Sequence, residues 1–100
     1  MSNIDTIREH LFQDELLAQL AEEAAELGKA ALKLRRAYTG CNPTPVTSCE
    51  AFANLLEELA DVYTCVHVLG IDTCENLSRV QQIMLGKMER WAGRLEASKR

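Results

Sequence analysis

The sequence predicts an all-α fold: long antiparallel helices forming a four-helix-type bundle that oligomerisation completes. Three observations predict it. No segment alternates apolar and polar residues with period two, the mark of a half-buried strand. Leu and Ala dominate and only five residues are aromatic, a bias toward helix over strand. Apolar residues recur at three- and four-residue steps through three long segments, as on amphipathic helices.

The first long helix is expected from about Asp14 to Tyr38, with Gly40 suited to its C-terminal end. Leu16, Leu20, Leu27, Ala31 and Leu34 make its apolar stripe. Residues 3–12 precede it as a short helix or arm. The stretch Thr39-Gly40-Cys41-Asn42-Pro43-Thr44-Pro45-Val46 holds both prolines and is the clear loop. The second helix begins at Thr47, where Thr47-Ser48-Cys49-Glu50 has the spacing of a capping box. Its apolar face holds Phe52, Leu55, Leu56, Leu59, Val62, Tyr63, Val66 and Leu69, and Gly70 ends it. The third opens on a similar box, Asp72-Thr73-Cys74-Glu75, and runs to about Ala97 along Leu77, Val80, Met84, Met88, Trp91 and Leu95. At 1.5 Å rise per residue each helix is about 35 Å long. Three such helices carry broad apolar arcs and few bulky side chains, so further copies are expected to complete the core, as a tetramer (dimer of dimers) in preference to a dimer.

Composition bounds the function. The 100 residues make a single domain, 1–100. A net charge of −4 and a pI of about 5.1 disfavour binding to nucleic acid polymers, whose backbones are anionic. No apolar run approaches the ~18 residues that span a bilayer, so no membrane partner is expected. Met1-Ser2-Asn3-Ile4-Asp5 lacks the basic patch and apolar core of a signal peptide. A cytoplasmic location is therefore expected. The four cysteines, at 41, 49, 65 and 74, form no C-x-x-C pair and read as small, partly buried, reduced thiols.

The informative residues are acids that interrupt the apolar stripes. At about 100° per residue, Glu23 points within roughly 50° of the centre of the first helix's apolar arc, between Leu20 and Leu27. Glu26 follows one turn later at the edge of the arc, and Glu22 points further toward solvent beside Lys29 and Lys33. On the second helix Glu58 and Asp61 are again three apart, among Leu55, Leu59, Val62, Cys65 and Val68. A carboxylate in such a setting is costly unless compensated. Packed antiparallel, the two helices bring four carboxylates together, and like charges that close need a cation to stay ionised. Oxygen ligands in number suit Mg²⁺, or Mn²⁺ as an alternative. A di-iron bundle would need Glu-x-x-His motifs, and neither His10 nor His67 follows an acid at that spacing. Residues 76–100 carry six bases against two acids. Lys87 and Arg94, seven apart, share a helix face with Arg90 between them, a setting suited to phosphate.

Glu22-Glu23-Ala24-Ala25-Glu26-Leu27 followed by Glu57-Glu58-Leu59-Ala60-Asp61-Val62 resembles the E-x-x-E, spacer, E-x-x-D signature of the MazG-like all-α nucleoside triphosphate pyrophosphohydrolases. Lys87-Met88-Glu89-Arg90-Trp91-Ala92-Gly93-Arg94 is similar to the basic stretch of that family's later helix. The resemblance covers residues 14–95. It implies Mg²⁺-dependent hydrolysis of (deoxy)nucleoside triphosphates to the monophosphate and pyrophosphate by activated water at the α-phosphorus, serving nucleotide-pool house-cleaning. It implies metal ligation by Glu23, Glu26, Glu58 and Asp61, with Glu22 helping to position the water. It makes Glu22, Glu23 and Glu58 the catalytic set, and gives phosphate contacts to Lys87, Arg94 and Arg90. Two features depart from the family: a 31-residue spacer between Glu26 and Glu58, with the Pro43/Pro45 stretch as the expected insertion, and Trp91 where Asn is common. His10, Phe12 and Gln19 are base-pocket candidates by position. The competing expectation is a non-catalytic helical module for oligomerisation or partner binding.

Overall fold

Each helix starts and stops where backbone chemistry provides a cap. A computed structural model describes residues 1–40 and 46–99 of the chain. Helix α1, Asn3–His10, opens on Ser2, whose Oγ accepts the Asp5 N–H at 3.2 Å. Helix α2, Gln13–Thr39, follows after two residues. Phe12 has no side-chain acceptor, and the Glu15 carboxylate instead accepts the Phe12 N–H at 3.3 Å. Gly40 ends α2 in the left-handed conformation (φ 64°) that glycine adopts without strain. Helix α3, Ser48–Leu69, is capped by Thr47, whose Oγ1 accepts the Glu50 N–H at 3.1 Å. Gly70, at φ 75°, closes it. Helix α4, Cys74–Ser98, begins one residue later than its box suggests. Thr73, not Asp72, is the N-cap and accepts the Asn76 N–H at 3.1 Å, while the Asn76 amide donates to the Ile71 carbonyl at 2.9 Å. The arm at 3–12 is thus largely helical, and the described residues contain no strand. The Pro43/Pro45 loop and Cys41 lie outside the described residues.

Met1–Gly70 forms one compact unit and Ile71–Arg100 a second. Within the first, α2 and α3 pack antiparallel: Leu16 lies near Val68 and Leu69, Glu23 meets Glu58 and Asp61, and Ala30 shares a cleft with Asn54. The buried residues are Leu16, Ala30 and Leu34 of α2 and Ala51, Cys65 and Val68 of α3. Ala30 is buried where the stripe anticipated Ala31, which is exposed. The reason is register: Leu16 and Ala30 are fourteen apart, two heptads on one seam facing α3. Arg8 ties α1 to the end of α3, donating to the Val68 carbonyl at 2.9 Å and the His67 carbonyl at 3.4 Å. These are carbonyls a helix end leaves without intrahelical partners.

The second unit is α4 and its lead-in. None of its described side chains is buried. The expected stripe forms, but Leu77, Val80, Met84, Met88, Trp91 and Leu95 are all exposed, Trp91 by 62%. On α3, Phe52, Leu56 and Tyr63 are exposed as well. Among the described residues no helix is long and apolar enough to cross a membrane.

Candidate metal centre

The α2–α3 seam has a heptad register on both helices, and the acids occupy it. Glu23 stands midway between buried Leu16 and Ala30. Glu58 stands midway between buried Ala51 and Cys65, and Asp61 one heptad before buried Val68. These are positions where a packed helix pair normally places apolar side chains. One carboxylate oxygen from each of Glu23, Glu58 and Asp61 lies within 4.8 Å of the other two. Glu23 and Glu58 are half-buried and Asp61 is exposed.

Partial burial pushes the Glu58 carboxyl above its ordinary range, and the negative charges of Asp61, Glu23, Glu26 and Glu57 push it further. The Cys65 thiol, one turn beyond Asp61, is pushed up by burial and by Glu23 and Asp61. Glu23 is held in place by Gln19, whose Nε2 donates to Glu23 Oε1 at 2.8 Å. The four-residue spacing is the sequence signal for that pair, and Gln19, a base-pocket candidate by position, instead contacts Glu23.

The donor set fits a hard divalent cation. Mg²⁺ takes oxygen ligands at about 2.1 Å, so oxygens across the ion stand about 4.2 Å apart at most. Three oxygens on one octahedral ion cannot all lie across it from one another, so at least two of their separations would be about 3 Å, and these carboxylates, within 4.8 Å of one another, would have to draw closer to share one. A cation there would offset the negative charges of Asp61, Glu23, Glu26 and Glu57, which add to burial in raising Glu58.

The other site residues of the sequence reading are placed differently. Glu26 stays outside the group of three, with its Oε1 3.3 Å from Lys29 Nζ. Its charge still reaches Glu58. Glu22 is exposed on α2. Lys87, Arg90 and Arg94 are exposed on α4 in the second unit. Arg90 lies back along its own helix, where a Cβ at Gly86 would stand 3.4 Å from its Nη1. His10 Nδ1 sits 2.8 Å from the Thr6 carbonyl, a local contact within α1. Phe12 lines a recess of about 370 Å³ with Arg8, Leu11, Leu16 and Val68. Cys49, Cys65 and Cys74 are free thiols; only Cys65 is buried, so Cys49 and Cys74 are more open than expected.

No known protein family matches the chain, and neither the characterised proteins nor the solved structures contain a match to it.

Proposed function

We propose that this chain is a Mg²⁺-dependent nucleoside triphosphate pyrophosphohydrolase, cleaving (deoxy)nucleoside triphosphates to the monophosphate and pyrophosphate. One observation carries the reading: Glu23, Glu58 and Asp61 stand at heptad spacing from buried residues of the packed α2–α3 seam, with their oxygens within 4.8 Å of one another. Carboxylates kept there at a cost to packing and to Glu58's ionisation are explained by a cation. The motif resemblance supplies the reaction.

When bound, Mg²⁺ supplies positive charge to offset the carboxylates and the triphosphate. The chain's own residues do the rest. Glu23, Glu58 and Asp61 hold the ion, and Gln19 fixes the orientation of Glu23. Glu26 can join them by exchanging its contact with Lys29, a surface pair of the kind worth little. Glu22, on the solvent side, helps to position the attacking water. The motif resemblance also assigns phosphate contacts to Lys87, Arg94 and Arg90 of α4.

The uncovered stripe of α4 supports assembly from further copies, as a dimer of dimers. Leu77, Val80, Met84, Met88, Trp91 and Leu95 line one exposed helix face, the kind of apolar surface that marks an interaction site. Sedimentation equilibrium should find an oligomer, and Trp91→Asp should shift it toward smaller species. A monomeric wild type at micromolar concentration would contradict the assembly. The same stripe favours the competing reading, a non-catalytic helical module, but that reading leaves the three seam carboxylates unexplained.

The test is pyrophosphate release from the eight common NTPs and dNTPs, with Mg²⁺ and with EDTA. Release that EDTA abolishes is expected for at least one substrate. Release unaffected by EDTA would overturn the metal-centre reading.

A further inference from the structure

Beside the seam carboxylates lies a cleft of about 400 Å³ with a different character. It is lined by Glu26, Lys29, Ala30, Lys33 and Arg36 of α2 and by Asn54 and Glu58 of α3. Its volume falls within the roughly 300–1,000 Å³ of small-molecule sites. Glu58 belongs to both the cleft and the group of three, so the two are continuous. Moving toward the α2 C-terminus, the lining changes from acidic to basic.

The spacing of Lys29, Lys33 and Arg36 is four and three, which puts them on one face of α2 within about 60° of arc. From Lys29 to Arg36 the helix rises about 10 Å. Lys29 is held by Glu26 at 3.3 Å. Among the described residues, Lys33 and Arg36 have no acidic partner within ion-pair distance. Both are half-buried against the cleft. Stabilisation of the helix end does not explain this row. The helix dipole acts over the last turn only, and Lys29 and Lys33 lie further in, ten and six residues before Thr39. Asn54, facing them from α3, adds an amide that can donate without adding charge.

We infer that this cleft is an anion subsite for the pyrophosphate end of a metal-bound polyphosphate, with Lys33 and Arg36 as its principal contacts and Lys29 and Asn54 completing it. The inference rests on the metal-centre reading and adds a polarity to it. The reacting phosphate sits at Glu23, Glu58 and Asp61, and the remaining phosphates run along α2 toward its C-terminus. Arg36 suits this role because its planar guanidinium can pair with two phosphate oxygens at once. The subsite is built from the first unit of the chain alone.

The experiment measures binding of inorganic pyrophosphate to the full chain by calorimetry, with Mg²⁺ and in EDTA, and binding of Mn²⁺ alone. It compares wild type, the double variant Lys33→Ala/Arg36→Ala, and the charge-preserving pair Lys33→Arg/Arg36→Lys. The alanine pair should weaken pyrophosphate binding by about tenfold or more per cation removed, in both conditions. It should leave Mn²⁺ affinity within about twofold, since neither cation is a metal ligand. The charge-preserving pair should recover part of the loss, the charge component, while Arg36→Lys keeps the cost of the missing bidentate pairing; recovery of any binding separates lost charge from lost fold. Equal pyrophosphate affinity in wild type and the alanine pair would overturn the subsite, as would absence of pyrophosphate binding to wild type. Failure of wild type to bind Mn²⁺ would instead overturn the metal centre, and the EDTA arm would still decide the subsite.

Discussion

Glu58→Gln and Asp61→Asn should each reduce turnover by at least roughly 100-fold while leaving the helices intact. Residues that merely orient metal ligands commonly cost 10- to 100-fold when changed, and these two are proposed as ligands themselves. Both substitutions keep side-chain shape and remove charge. In the absence of metal, Glu58→Gln should melt at a higher temperature than wild type. The wild-type carboxyl is held above its ordinary range by partial burial and by Asp61, Glu23, Glu26 and Glu57. Neutralising it relieves that repulsion. A variant that is more stable and inactive marks a residue kept for chemistry at the expense of stability. Full activity in either variant, with metal affinity unchanged, would remove Glu58 and Asp61 from the site.

Mg²⁺ should stabilise the wild-type protein strongly. A ligand at 100 times its dissociation constant contributes about 2.7 kcal/mol, which for a domain of this size is a rise in melting temperature of about 10 °C or more. The rise should be absent in the double variant Glu58→Gln/Asp61→Asn. It should also depend on pH in a defined direction. Glu58 binds its proton more tightly in the folded state than in the unfolded one. Without metal, its destabilising contribution is therefore present at neutral pH and fades as pH falls through the raised value toward the ordinary glutamate range. In EDTA the melting gap between Glu58→Gln and wild type should close as pH falls from neutral through the raised value to the ordinary glutamate range, about pH 4, and the Mg²⁺ effect should shrink over the same range because protons compete for the site. Calorimetry at the two pH values checks both. A Mg²⁺ shift of equal size in wild type and double variant would place the ion elsewhere.

Much of this arrangement is legible in the residues, for local reasons. Thr47 and Gly70 bound α3 because an N-cap oxygen and a left-handed glycine act within a few residues. Glu23, Glu26, Glu58 and Asp61 stand out because acid pairs three apart interrupt the apolar stripes, and the antiparallel packing of α2 and α3 brings Glu23, Glu58 and Asp61 together. What was not legible depended on competing partners. Glu26 shares the E-x-x-E spacing, but Lys29 at i+3 captures its carboxylate, and periodicity does not rank such contacts. The α4 start moved from Asp72 to Thr73 because both residues can cap and the Asn76 N–H selected one. Lys29 and Lys33 stand beside Glu22 in the sequence; only the packing of α3 against α2 shows that they line a cleft with Arg36. Lys87, Arg90 and Arg94 share a helix face by spacing, but spacing along one helix does not state what that face meets.

The most direct measurement is substrate hydrolysis in oxygen-18-labelled water, with Mg²⁺ and with EDTA, using the best substrate of the nucleotide panel. Attack at the α-phosphorus predicts one labelled oxygen in the monophosphate, none in pyrophosphate, and no turnover in EDTA. Label in the pyrophosphate, label in released orthophosphate, or no Mg²⁺-dependent turnover of any substrate by the folded protein would contradict the assignment of Glu23, Glu58 and Asp61 to pyrophosphohydrolase chemistry.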